Sequence, residues 1–210
     1  MCLLFLLVNN NAKTDEYKLI LVNNRDEFWI RPTKLADFWG KDLNCISGLD
    51  EEPGREGGTW LGMNKNGRIG ILLNIFGEMY PDKKGRGFLV SDFISSTEDP
   101  KKYISKFSSD KSSYNGFHLI LLDHRLYPDP VLIKMTEQKY GKLNDESVLK
   151  QRSALCVCCP TIEYGTRTTT IILVSGSGEC NYIEKTLVLP LNPDDPQYIT
   201  KSYEFNLTPE

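Results

Sequence analysis

The chain has 210 residues, the length of one domain and enough to bury a substantial core. Its 25 Lys and Arg stand against 28 Asp and Glu, a formal charge of -3, which provides no basic field for nucleic acid and no polybasic cluster for an anionic membrane surface. No apolar run approaches the roughly 20 residues that cross a bilayer as a helix, so a soluble, cytoplasmic protein is expected.

In chain order, Leu3 to Val8 is apolar, with no basic segment before it and no small-residue cleavage site after it. It reads as a buried strand, not a secretory leader. Tyr17 to Val22 is a second apolar run, and the polar, Asn-rich residues 9–16 make the pair a hairpin with a long loop. The loop is centred between Ala12 and Lys13, which sets residue 2 opposite residue 23 and Cys2 beside Asn24, Arg25 and Asp26. Thr59–Met63 and Arg68–Asn74 form another hairpin around Asn64-Lys65-Asn66-Gly67, placing Asn74 opposite Gly57. Helices are expected from Phe88 to about Ser95 and from Pro100, the latter capped by Asp99.

Gly116 to Asp123 reads as a buried strand, and residues 125–142 show no sustained period. A short helix near Asp145 to Gln151 precedes strands at Ala154–Cys159, Thr168–Ser175 and Cys180–Thr186, with a closing strand at Tyr203–Leu207. Hairpins, then helices, then hairpins indicate an α+β fold with mainly antiparallel sheet. No repeat, low-complexity tract or linker divides residues 1–210.

Cys2 is the residue with the most chemistry behind it. Once Met1 is removed, a thiol and a free α-amine share one residue, and an amine titrating at about 7.7 to 8 is a suitable base for its own nucleophile. Arg25 would favour the thiolate and Asp26 would orient the amine. Asn74, at a strand end beside two glycines, is a candidate oxyanion donor. The structural alternatives are ordinary: an early Cys as a small buried hydrophobe, and Arg25 with Asp26 as a strand-end ion pair. Gly57-Gly58-Thr59-Trp60 is either a substrate-facing loop or a hairpin entry with a core Trp. Arg167 either clamps a carboxylate or neutralises a buried acid.

The six cysteines read as reduced thiols, since so large and apolar a chain does not need staples. Cys156-Val157-Cys158-Cys159 lacks the paired spacing of zinc sites, and burial in a strand is expected. His118 and His124 do not cluster, so no metal site is assigned.

Taken together, Met1-Cys2 with its apolar run, Asn24-Arg25-Asp26-Glu27-Phe28, Arg31-Pro32, Leu35-Ala36-Asp37-Phe38-Trp39, Glu56-Gly57-Gly58-Thr59-Trp60-Leu61-Gly62, Gly85-Arg86-Gly87, Tyr114-Asn115-Gly116-Phe117, Tyr164-Gly165-Thr166-Arg167-Thr168 and Tyr203-Glu204-Phe205 resemble the transport and Golgi organisation protein 2 family, also called the NRDE family. The resemblance covers nearly the whole chain. It implies an N-terminal-nucleophile hydrolase-like αββα sandwich, distantly similar to cysteine amidases. By that similarity Cys2, Arg25, Asp26, Asn74 and Arg167 are the catalytic candidates, with Asn24, Gly57, Gly58 and Trp60 on the ligand side.

A second Asn of such sites belongs to a Tyr-Gly-Leu-Ser-Asn segment followed by Pro-Trp, which this chain lacks. It passes from Leu122-Asp123 to Tyr127-Pro128-Asp129-Pro130 where family members continue for roughly another 60 to 80 residues, half a small domain. An internal deletion near residues 123–130 and an incomplete fold are therefore expected. Family biology implies Golgi organisation and secretory transport, with lipid homeostasis and haem trafficking, in a cytoplasmic protein associated with Golgi or mitochondria. No resident cofactor is implied; haem enters as a transported ligand. Two readings stay open: a binder of a small or lipid-like ligand that supports trafficking, and a cysteine hydrolase of small amides or acyl compounds.

Overall fold

The computed structural model describes residues 2–75, 79–107, 111–123, 131–135, 154–192 and 194–208. They belong to two units, Met1–Arg31 with Leu143–Leu207, and Pro32–Lys142 with Thr208–Glu210.

The first unit is an antiparallel sheet of β1 (Leu3–Val8), β2 (Tyr17–Phe28), β10 (Tyr164–Ser175), β11 (Glu179–Leu187) and β12 (Tyr198–Asn206), in that spatial order. Leu3 pairs with Asn24 and Val8 with Leu19, so the register lies two residues from the loop-centred expectation. Tyr17 runs on past β1 to pair with Ser175 of β10, which makes the loop asymmetric. A two-residue shift preserves the pleat and hence the faces, and continuing it sets Cys2 opposite Arg25.

Strand β2 does not stop at Val22. Its polar half, Asn23 to Glu27, remains extended because β10 pairs with it as far as Phe28, and β10 presents threonines to take its side chains. Central pairing here overrides the low strand preference of Asn and Asp. The strand expected over Ala154–Cys159 shrinks to β9 (Cys158–Cys159), paired with Tyr164 and Gly165. Val157 is held instead by Thr166, whose backbone N–H reaches the Val157 carbonyl at 2.8 Å and whose Oγ1 accepts the Val157 N–H at 2.8 Å. Contrary to the burial expected for this segment, Cys156 and Cys158 are exposed; Cys159 is buried. The helix expected at 145–151 lies outside the described residues.

The second unit holds the sheet β3 (Thr33–Trp39), β4 (Cys45–Asp50), β5 (Leu61–Asn64), β6 (Ile69–Asn74), β7 (Phe117–Leu122) and β8 (Val131–Met135), antiparallel throughout, with α1 (Phe88–Ser95) and α2 (Pro100–Ser105). Both helices begin where expected, and the Asp99 carboxylate caps α2 by accepting the Lys102 N–H at 3.0 Å. Helix α1 lies close on β5 and β6 because Gly62 and Gly70 leave room: a Cβ there would stand 2.8 Å from Ile94 Cδ1 and 2.9 Å from Val90 Cγ1. In the β5–β6 hairpin Met63 pairs with Ile69, and the Asn64 N–H still reaches the Arg68 carbonyl at 2.9 Å. The loop is thus one residue shorter than expected, closed by Gly67 at φ 81°. The register moves by one, and Asn74 takes Phe117 of β7 as its partner.

Candidate functional site

Cross-strand partners share a face of a sheet, and this sorts the candidates of the first unit. Cys2, Arg25, Thr168 and Thr186 form one row, followed on the same face by Asn23, Thr170 and Glu184. Asn24 lies on the other face with Thr169 and Lys185, and Asp26 with Thr166. The run Asn24-Arg25-Asp26 therefore does not converge on one point; only Arg25 shares the Cys2 face.

Cys2 is half-buried. Burial pushes its thiol up, opposed by the Asp26 backbone N–H donated to the sulfur and by the Arg25 charge, while the Asp26 charge acts with burial. Asn23 fixes the edge beside it, its Nδ2 donating to the Leu3 carbonyl at 2.8 Å. Arg25 is buried and stands 3.7 Å from Glu27 Oε2, which Arg31 Nε also approaches at 3.8 Å. The Asp26 carboxylate accepts the Thr166 hydroxyl at 2.6 Å, and the Asp26 carbonyl accepts the Tyr164 hydroxyl at 3.2 Å. Asn24 is held from both ends, its Nδ2 on the Leu155 carbonyl at 2.8 Å and its Oδ1 under the Thr169 hydroxyl at 2.7 Å.

Arg167 sits where the β10–β2 register shifts, between Thr166 and Thr168. One terminal nitrogen donates to the carbonyls of Phe28, Trp29 and Arg31 at 3.2, 2.9 and 2.9 Å, which tethers the end of β2. Burial, and then the nearby Arg25 charge, lower its ordinary value to about 10, with Glu27 acting against both. Its Nε and the neighbouring Thr168 Oγ1 are buried without a hydrogen bond.

A cavity of about 270 Å³ opens in this unit. It is lined by Arg167 and Thr168 together with Thr166, Thr169, Lys185, Leu187 and Tyr198, and Trp29 and the exposed thiols Cys156 and Cys158 border it. Lys185 Nζ lies 4.1 Å over the Tyr198 ring. No group of three or more His, Cys, Asp or Glu among the described residues is arranged to hold a metal.

Asn74, Gly57, Gly58 and Trp60 belong to the second unit. Asn74 is exposed at the end of β6. Gly57 is exposed at φ 84°, a conformation that favours glycine, while Gly58 brings the backbone against Gly87, whose carbonyl accepts the Thr59 N–H at 3.2 Å. Trp60 is buried with its ring filling the space above Gly48.

The hydroxyls of Thr166, Thr168, Thr169 and Thr170 were not singled out as site residues from the sequence. Their signal is the run Thr-Arg-Thr-Thr-Thr in a strand, which must present hydroxyls to both faces.

A family model described as Transport and Golgi organisation 2 matches residues 1–141 and, as a second stretch, 127–188. The chain is 32% identical to the Transport and Golgi organization 2 homolog of Mus musculus and 31% identical to the homolog of Homo sapiens, each over 279 aligned positions that take in 99% of both chains. Alignments of 279 positions exceed the 210 residues of this chain by 69. The Drosophila melanogaster Transport and Golgi organization protein 2 is 34% identical over 152 residues, 69% of this chain and 54% of that protein.

Proposed function

The chain belongs to the Transport and Golgi organisation 2 family, and on that premise we propose that it supports Golgi organisation and secretory transport as a ligand-binding protein. The scaffold is an N-terminal-nucleophile hydrolase-like αββα sandwich left incomplete by an internal deletion near residues 123–130. The two-stretch family match and the 69 surplus alignment positions support that deletion. The ligand is lipid-like or haem. A cavity of about 270 Å³ lies just below the usual range of ligand pockets, roughly 300–1,000 Å³, and favours a short acyl body over a macrocycle. No described helix is long and apolar enough to cross a membrane, which agrees with a protein that meets membranes through a ligand or a partner.

The observation that carries binding over turnover is the state of Cys2. Burial raises its thiol above the ordinary value, which works against the thiolate that attacks efficiently. The Asp26 carboxylate, on the opposite face, is engaged by Thr166. The hydrolase reading retains one specific observation, the Asp26 N–H donated to the Cys2 sulfur, a contact that would steady a thiolate were one formed.

Titration of the chain with haem and with acyl ligands tests this. Saturable binding, unchanged in Cys2→Ala and weakened in Lys185→Ala, is expected because Lys185 lines the cavity and Cys2 does not. Absence of saturation with either ligand class defeats it. Intact-mass measurement addresses the hydrolase reading, since a retained Met1 removes the free amine that it requires.

A further inference from the structure

Strand β1 is an edge of the first sheet: among the described residues it pairs with β2 alone. Natural sheets blunt such an edge with charges, prolines or bulges, and the opposite edge, β12, carries Lys201 and Glu204. Strand β1 has none of these. All its residues are apolar, and the register from Leu3 with Asn24 to Val8 with Leu19 runs without a break. None of them is buried. Leu6 and Val8 share a face with Leu21 and Leu19, both 0% exposed, yet are only half-buried themselves, so the core ends at this edge for want of a neighbour. The Asn9 N–H donates to the Lys18 carbonyl at 2.8 Å, one pair beyond Val8 and Leu19. Bonded and unbonded pairs alternate along an antiparallel ladder, so Leu3, Phe5 and Leu7 turn their backbone groups to β2, and Leu4, Leu6 and Val8 turn theirs outward.

We propose that β1 is the interface of a two-fold dimer, in which a second copy of this chain lays its own β1 antiparallel to the first with Phe5 at the axis. The occupant is named by the strand itself. Leu3-Leu4-Phe5-Leu6-Leu7 reads the same in both directions from Phe5, so Leu3 meets Leu7, Leu4 meets Leu6 and Phe5 meets its counterpart, with no charge set against another. The backbone agrees with this register: Leu4 and Leu6 hold the outward groups and exchange about four hydrogen bonds across the axis, and Phe5 falls in an unbonded pair, where side chains approach most closely. The partners have like parity, so the two sheets continue with the same face on the same side. The contact is isologous and closes at two copies. One edge about 20 Å long buries less than the roughly 1,200 Å² of a stable interface, so the dimer is weak, with a dissociation constant on the order of 100 µM.

Sedimentation equilibrium of the full chain tests it, with a reductant present so that thiols do not link copies. The weight-average mass should climb with concentration to about 1.5 chain masses near 100 µM and level off at two. Phe5 is 55% exposed, so Phe5→Lys leaves the fold in place while setting like charges face to face at the axis, and the mass should stay at one chain. Phe5→Glu should do the same, and an equimolar mixture of the two variants should associate again, because opposite charges then meet. Ile199→Lys, on the β12 edge, should leave the association of the wild type unchanged. One chain mass across the whole range overturns the proposal, as does a rise that survives Phe5→Lys, a mixture that stays monomeric, or a mass that keeps climbing past two copies. The ligand reading is tested separately, since no residue of β1 lines the cavity.

Discussion

Burial sets the chemistry of the individual thiols. Cys2 and Cys180 are both raised, Cys180 to about 12, with desolvation as the leading cause, whereas Cys156 and Cys158 are exposed. Iodoacetamide should therefore modify Cys156 and Cys158 first, and the pH midpoint for Cys2 should lie above that of the unfolded chain. A Cys2 that reacts fastest near neutral pH would instead mark an activated nucleophile and return the hydrolase reading to the front. For stability the sign follows from the direction of the shift. A raised acid binds its proton more tightly when folded, so its contribution is fully present below about pH 8.5, the free-thiol value, and is lost as pH rises through the folded value. Urea unfolding between pH 8 and 10 should show this decline, and Cys180→Ala should flatten it. Thr168→Val offers a separate check, since removing an unmatched buried hydroxyl should raise ligand-free stability by about 1 kcal/mol. A fall of that size would show that the hydroxyl is satisfied in solution.

Among the elements, some were legible from the sequence and others were not, for local reasons. Helix α2 was readable because Asp99-Pro100 is a cap followed by the one residue that needs no N–H there. The β1–β2 hairpin was readable from its apolar runs. Its polar continuation was not, because Arg25 to Glu27 is extended through pairing with β10, more than a hundred residues away. Strands β3 and β4 escaped notice as well; Thr33–Trp39 carries a register break between Lys34 and Asp37 that spoils alternation. The candidate site was half legible: Cys2 beside Arg25 followed from the hairpin, but the division of Asn24 and Asp26 from Arg25 between two faces required the strand itself.

Several family-motif residues turn out to hold loops. The Asn115 side chain makes paired hydrogen bonds to the Tyr80 backbone at 3.0 and 2.9 Å, and Arg86 donates to the Gly116 carbonyl at 2.8 Å. Gly165 is the sharpest case, since a Cβ there would lie 2.4 Å from the Val157 carbonyl oxygen, backbone that cannot swing aside. Gly165→Ala should destabilise the chain by about 1–3 kcal/mol and push β9 off β10, so that the buried Cys159 becomes alkylatable. Protection of Cys159 equal to wild type would show that the segment accommodates the methyl.

For the whole chain, the apolar side chains left accessible in the first unit gather on one face of its sheet. Leu3, Phe5, Leu7, Ile20, Val22, Ile171, Leu173 and Ile183 all lie on the Asn24 face, and Phe5 and Leu7 are 55% and 57% exposed. Among the described residues both α-helices belong to the second unit, where α1 covers β5 and β6. Accessible apolar side chains on one face of a β-sheet are the expected result if the additional positions of the relatives supply cover for that face. Restoring the corresponding segment of the mouse relative should therefore raise the thermal midpoint, sharpen unfolding into one cooperative transition and lower the binding of an apolar dye. Covering Phe5 and Leu7 alone would contribute about 2 kcal/mol, half of full burial for two large side chains. Phe5→Lys with Leu7→Lys makes the complementary change, reducing dye binding by the short chain while destabilising the restored one. Identical midpoints and dye binding for the short and restored chains would mean that the sheet is already complete, and the additional positions of the relative would then be a peripheral insertion outside the layer that covers the sheet.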